Sequence, residues 1–167
     1  PEAKYRVVAR TGPRTEEGCG TPWKIENELR CGRPLGMRRD PTRAKCLLVA
    51  DAYNGIIRVN PKDGSTETVV NSSLLDLALV NDIEVVGGIA FFTNTGRFPR
   101  SQIHRNLIEA QPTGSLWAVD LRSNKAREVV AGLVMPNGVT ATHDGRGLLV
   151  TALAGVLRVD LPWGSRP

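Results

Sequence analysis

Val80-Asn81-Asp82-Ile83-Glu84-Val85, running into Gly88-Ile89-Ala90-Phe91-Phe92-Thr93-Asn94, decides how this chain reads. The stretch recurs. Pro136-Asn137-Gly138-Val139-Thr140-Ala141 runs into Gly147-Leu148-Leu149-Val150-Thr151, and Pro34-Leu35-Gly36-Met37 runs into Cys46-Leu47-Leu48-Val49-Ala50-Asp51. The copies stand about 45 to 55 residues apart, the period of a four-stranded propeller blade. Corresponding residues of successive blades approach one axis, so Asn81 and Asn137 would deliver two amide oxygens there. That is the beginning of a hard-cation site.

Between these landmarks the apolar runs are short, rich in Val, Ile and Leu, and bounded by Gly, Pro, Asn or Asp. Such runs read as strands joined by tight turns. The pattern predicts strands over 45–51, 55–60 and 67–70, with a turn at 61–64. The next unit repeats the order over 83–86, 89–93, 115–120 and 126–130, with its turn at 122–125. A last unit offers 139–142, 148–153 and 156–160, and a leading strand is expected over 5–9. The basic, polar excursion 96–113 interrupts one hairpin and carries a short helix near 102–109. Long loops at the ends of a scaffold often line a substrate mouth. The fold class is therefore all-β, a propeller of four-stranded antiparallel blades. Residues 1–33 give an outer strand and a cysteine loop, 34–73 and 80–132 two blades, and 136–160 an incomplete one. Open sheet edges at both ends would pair with other chains, as a homodimer of half-propellers or a larger assembly.

The chain has 167 residues with a net charge of +5, and its composition is that of a globular domain. Its basic residues are scattered, with no basic helix and few interleaved aromatics, so no nucleic-acid partner is expected. Neither a membrane-spanning run nor a signal-peptide pattern occurs within it. Cys19 and Cys31 flank a polar segment, and a bridge between them would close a short loop. Two free thiols are the other reading that spacing alone allows. Zinc is not expected, since there is no CxxC and both histidines lie far away. Asn71-Ser72-Ser73 is a glycosylation sequon. His104 and His143 fall in a loop and a turn without an evident acidic partner, which favours surface roles. No G-x-S-x-G elbow is present, and no helix follows Gly12, Gly18, Gly20 and Gly32 to make a phosphate loop.

Cys31-Gly32-Arg33-Pro34-Leu35-Gly36-Met37, Val49-Ala50-Asp51-Ala52-Tyr53-Asn54-Gly55, Val80-Asn81-Asp82, Phe91-Phe92-Thr93-Asn94, Pro112-Thr113-Gly114 and Met135-Pro136-Asn137-Gly138-Val139 together carry a resemblance. From about residue 5 to 160 the sequence resembles the strictosidine synthase-like family, most closely its adipocyte plasma membrane-associated protein branch. The resemblance implies a six-bladed propeller related to paraoxonases and gluconolactonases, in which this chain holds about three blades. It implies a Cys19–Cys31 disulfide and a secretory, extracellular or lumenal setting, with any membrane anchor in a segment outside this chain. It places Asn81 and Asn137, with Asp82 beside the first, at calcium positions of the related hydrolases. Asp51 and Asn94 would lie near the tunnel.

Departures limit the analogy. The chain starts in the outer strand of what would be a first blade, so it lacks an earlier glutamate ligand of the family. It also lacks the acidic ligands of later blades and the glutamate of strictosidine synthase itself, so condensing activity is not expected. Asn94 and Thr151-Ala152-Leu153 stand where relatives carry carboxylates. The expected function is a propeller segment of a calcium-dependent ester or lactone hydrolase lineage, arylesterase-like, acting on a small-molecule ester or lactone. The alternative is a non-catalytic interaction or scaffold module in a larger assembly.

Overall fold

The computed structural model describes residues 4–12, 18–19 and 24–161. Eleven strands form three antiparallel sheets in chain order. The first holds β1 (Pro34–Arg39), β2 (Leu47–Asp51), β3 (Gly55–Val59) and β4 (Thr66–Asn71). The second holds β5 (Val80–Val86), β6 (Ile89–Asn94), β7 (Gly114–Asp120) and β8 (Ala126–Leu133). The third holds β9 (Val139–Ala141), β10 (Gly147–Ala152) and β11 (Gly155–Asp160), and no fourth strand among the described residues. Each sheet is a meander, and the first strands are neighbours, β1 against β5 and β5 against β9. That is the arrangement of propeller blades about a common axis.

Strand alternation explains the stacking, because residues two apart share a face. Leu48, Ala50 and Ile56 of the first sheet are buried against Val80, Ile83, Ala90 and Phe92 of the second. On the second sheet's other face, Phe91, Leu116 and Ala118 pack with Val139, Leu148 and Val150 of the third. Arg58 interrupts the apolar run of β3 yet is almost wholly buried. Its Nε donates to Asp40 Oδ2 at 2.5 Å and its Nη1 to Glu67 Oε1 at 2.9 Å.

The turns follow the chemistry of their short polar residues. Asn60 and Asp120 each accept, through their backbone carbonyls, the amide N–H of the residue four positions on, Gly64 and Asn124. The excursion carries a 3-10 turn (Arg100–Gln102) and the helix α2 (Ile103–Glu109), closed by left-handed Ala110. Asn106 brackets Phe98 by accepting from its amide and donating to its carbonyl, and Arg97 and Arg105 lie over the same ring. Ahead of β1, a 3-10 turn (Ile25–Asn27) and the one-turn helix α1 (Glu28–Cys31) lead to a disulfide joining Cys19 and Cys31.

One expected strand is corrected. Residues 4–10 form no ladder, although their β-branched composition reads as a strand. They run past the first sheet, with Ala9 against Val49, Ile57 and Val59. Tyr5 is 98% and Val7 66% exposed. An outermost strand needs a third strand to pair with, and the described residues offer none there.

Candidate functional site

The ladders between the first two strands of the first and second sheets break at the same repeat position. Register shifts between Pro34 and Met37 on β1, and between Val80 and Ile83 on β5. Bulges of this kind re-aim side chains and recur beside active sites. Here the bulged pairs are Leu35-Gly36 and Asn81-Asp82. In the third sheet the equivalent pair, Asn137-Gly138, precedes β9 and is fastened to β10. The Asn137 amide donates to the Thr151 carbonyl at 2.8 Å, and the Gly138 amide donates to Thr151 Oγ1 at 2.8 Å.

Threonines from second strands join these segments across the sheets. Asn81 Nδ2 donates to Thr95 Oγ1 at 3.0 Å, and that hydroxyl donates to the Pro136 carbonyl at 2.9 Å. Thr93 Oγ1 donates to the Asn137 carbonyl at 2.6 Å and accepts from the Asp82 amide at 3.2 Å. Asn81, on β5, and Asn137, just ahead of β9, therefore sit at the same end of adjoining inner strands. Among the described residues neither carboxamide oxygen receives a hydrogen bond.

Asp82 spans all three sheets. Its Oδ2 accepts from the Val139 amide at 2.9 Å, while a Cβ built on Gly36 would lie 2.0 Å from its Oδ1 and 2.8 Å from its Cα. Glycine at 36 is thus what lets β1 approach β5. Gly36→Ala is expected to cost about 1–3 kcal/mol, because the neighbour that must yield includes backbone. Urea unfolding measures the loss, which should fall short of that range only if β1 can shift away from Asp82.

Two residues further along each inner strand lies a layer that sequence reasoning missed. Glu84 Oε1 accepts from Arg38 Nε at 3.2 Å and from the Val85 amide at 2.8 Å, and its Oε2 accepts from Thr140 Oγ1 at 3.1 Å. Burial alone would raise the pKa of Glu84, but the Val85 amide, the Arg38 charge and the Thr140 hydroxyl together hold it below the usual value. Arg38 also donates to the Met37 carbonyl at 2.9 Å. The signal was available in the spacing. Positions 36, 82 and 138 correspond across the three copies, and two residues on, 38, 84 and 140 must share their face.

The other expected positions serve the sheet ends. Asp51 is fully buried at the end of β2. Its Oδ1 accepts from the Tyr53 amide, the Asn54 amide and Asn54 Nδ2 at 3.0, 2.9 and 2.9 Å. Its Oδ2 accepts from the Arg33 amide at 2.6 Å and from the Thr11 hydroxyl. Asn94, at the end of β6, is buried and accepts from the Leu79 amide at 3.0 Å. Both were expected near the tunnel; Asn94 spends its oxygen on a backbone amide, and Asp51 spends both of its own on three backbone amides and two side chains. His104 on α2 and His143 in the β9–β10 turn are exposed.

The donors that remain are hard oxygens, the two carboxamides and Oδ1 of Asp82. Calcium takes such oxygens but needs six to eight of them. The described residues thus match a calcium site in kind and fall short of one in number, and they contain no group of three or more His, Cys, Asp or Glu suited to a metal.

No protein-family model matches the chain. It is 34% identical over 166 residues to the adipocyte plasma membrane-associated protein of Gallus gallus, covering 94% of this chain and 38% of that protein. It is 33% identical over 165 residues to strictosidine synthase-like protein 10 of Arabidopsis thaliana, covering 95% of this chain and 43% of that protein. The chain thus spans about two fifths of the length of these curated relatives. Among solved structures it matches the calcium-binding protein regucalcin from Agrobacterium tumefaciens with a TM-score of 0.57 at 18% identity, covering 81% of this chain and 41% of that one. At that identity the match speaks to the propeller fold alone.

Proposed function

Since this chain is strictosidine synthase-like in sequence over nearly its whole length, we propose that it is a propeller segment of a calcium-dependent ester or lactone hydrolase lineage. The observation that supports this reading is the placement of Asn81 and Asn137 at one end of adjoining inner strands, with neither carboxamide oxygen taking a donor among the described residues. In a complete ring these oxygens and Asp82 Oδ1 would hold part of a calcium shell. A calcium ion in such a site supplies polarisation of an ester or lactone carbonyl. The chain's own contribution is positional. Thr95 turns the Asn81 carboxamide by taking its N–H, and Thr93 and Thr151 fix the backbone on which Asn137 stands. Regucalcin is a calcium-binding protein of the same fold, which is consistent with the reading.

The test is hydrolysis of phenyl acetate and of simple lactones under calcium titration. Activity is expected to rise with calcium, to vanish with chelator, and to fall at least about tenfold in Asn81→Ala, the scale on which weakened metal sites lose function. Activity indifferent to both chelator and substitution would overturn the reading.

A non-catalytic interaction module is the second reading. What favours it is the shortage of free oxygens among the described residues, with Asn94 and Asp51 already hydrogen-bonded at the sheet ends. A secretory or lumenal setting is proposed with either reading, since the Cys19–Cys31 disulfide suits an oxidising compartment. Asn71 is exposed at the end of β4, where glycosylation is proposed.

A further inference from the structure

Asparagine followed by glycine is chemically vulnerable, because glycine puts no Cβ between its own nitrogen and the neighbouring carboxamide. The chain has two such pairs, Asn54-Gly55 and Asn137-Gly138. In the reaction the glycine nitrogen bonds to the asparagine Cγ and the side-chain nitrogen leaves as ammonia. Water then opens the cyclic imide to aspartate or isoaspartate. The exchange is hydrolytic, so it consumes water and needs neither oxidant nor reductant.

At Asn137-Gly138 the peptide unit that must react is held at both of its polar atoms. Thr93 Oγ1 donates to its carbonyl, that of Asn137, at 2.6 Å, and Thr151 Oγ1 accepts from its N–H, that of Gly138, at 2.8 Å. The flanking groups are fixed as well. The Asn137 amide donates to the Thr151 carbonyl at 2.8 Å, and the Thr151 amide donates to the Gly138 carbonyl at 2.9 Å. Ring closure requires the Gly138 nitrogen to lose its proton and the peptide unit to turn about the Asn137 Cα–C bond. The first step gives up the bond to Thr151, and the second gives up the bonds to both threonines. A Cβ built on Gly138 would crowd Thr151 Oγ1 at 3.2 Å, so the glycine that admits the hydroxyl is also what makes the pair reactive.

The repeat carries the same pairing. Positions 35, 81 and 137 correspond, and so do 50, 93 and 151. Threonine stands at 93 and 151, in the two sheets whose inner segment holds an asparagine. Thr93 Oγ1 also accepts from the Asp82 amide, the one that follows Asn81, at 3.2 Å. In the first sheet the asparagine position is Leu35 and the threonine position is Ala50. Where there is no carboxamide to guard, there is no hydroxyl.

We propose that Asn137-Gly138 is a deamidation site held closed by the hydroxyls of Thr93 and Thr151. Conversion puts a carboxylate, or the lengthened backbone of isoaspartate, where the array offers a neutral carboxamide. What that does to a bound cation rests on the calcium reading, whereas the modification itself does not.

The test follows Asn137 and Asn54 by peptide mass spectrometry while the 167-residue chain stands in mildly alkaline, calcium-free buffer, as parent, Thr151→Val and Thr151→Ser. The folded parent should convert Asn137 far more slowly than the same chain in urea. Thr151→Val should convert it roughly tenfold faster than the parent, the rate equivalent of one lost neutral hydrogen bond. Thr151→Ser keeps the hydroxyl and should keep the parent's rate. Asn54, in the turn between β2 and β3, should convert at one rate in all three folded proteins and so reports any general loosening. Equal Asn137 rates in the parent and Thr151→Val overturn the proposal. So does a parent that converts as fast folded as in urea, or an Asn54 that accelerates together with Asn137. The readout is a covalent change that requires neither calcium nor substrate hydrolysis, so its failure and the failure of the proposed activity are told apart.

Discussion

Arg58→Ala is expected to destabilise the chain by about 3–5 kcal/mol, the cost of leaving one partner of a buried ion pair behind. The pair lies between β3 and the β1–β2 turn, with both side chains sealed from water. Asp40 already accepts from the Thr42 amide at 2.7 Å, the Thr42 hydroxyl at 2.6 Å and the Arg43 amide at 3.2 Å, so it cannot turn outward. A loss of this size is a large part of the roughly 5–15 kcal/mol that holds a domain folded. A urea unfolding curve measures it. Replacing both partners, Arg58→Met with Asp40→Leu, should recover most of the loss, since neither then leaves a buried charge. If Arg58→Ala unfolds at the parent's urea midpoint, the pair contributes nothing.

The same pair sets an acid dependence. Burial alone would raise the pKa of Asp40, but hydrogen bonds from Thr42 and from the Arg58 guanidinium leave it below the ordinary aspartate value. A carboxyl whose folded pKa is depressed adds stability that is complete above its unfolded pKa. That contribution is lost as pH falls through the lower, folded value. Acid should therefore narrow the difference between the parent and the double replacement.

Phe91→Ala is expected to cost about 3–5 kcal/mol, as truncation of a sealed aromatic leaves a cavity. Phe91 is fully buried between the second and third sheets, among Leu116, Val139, Leu148 and Val150. Those sheets meet largely through this cluster, so the loss should appear first as separation of β9–β11, seen in amide exchange. Leu74→Ala, at a side chain 81% exposed, should stay within about 0.5 kcal/mol of the parent. Equal losses in the two variants would mean that the inter-sheet core is not where the stability lies.

Strand positions were legible because each is local. Alternation, β-branched runs and Asx turns placed the strands after β1 to within a few residues, and the short helix near 102–109 is present over 103–109. Residues 4–10 read equally well as a strand and form none, because pairing depends on a neighbour that composition does not encode. Repetition made the equivalence of positions 81 and 137 legible. The same repetition put Arg38, Glu84 and Thr140 on one face, but which of them bond, like the bond of Asp82 to the Val139 amide, depends on side-chain reach between sheets that the pattern does not encode. Arg58 was the most readable clue left unused: a charge inside an apolar strand implies a buried counter-charge.

The threonine hydroxyls of β6 and its end carry a mechanical consequence. Thr93 and Thr95 grip the carbonyls of Asn137 and Pro136 while holding the Asp82 amide and the Asn81 carboxamide. Neighbouring sheets are thereby pinned to each other beside both asparagines, so a shift of the backbone at 136–137 bears on the Asn81 carboxamide through a single hydroxyl, that of Thr95.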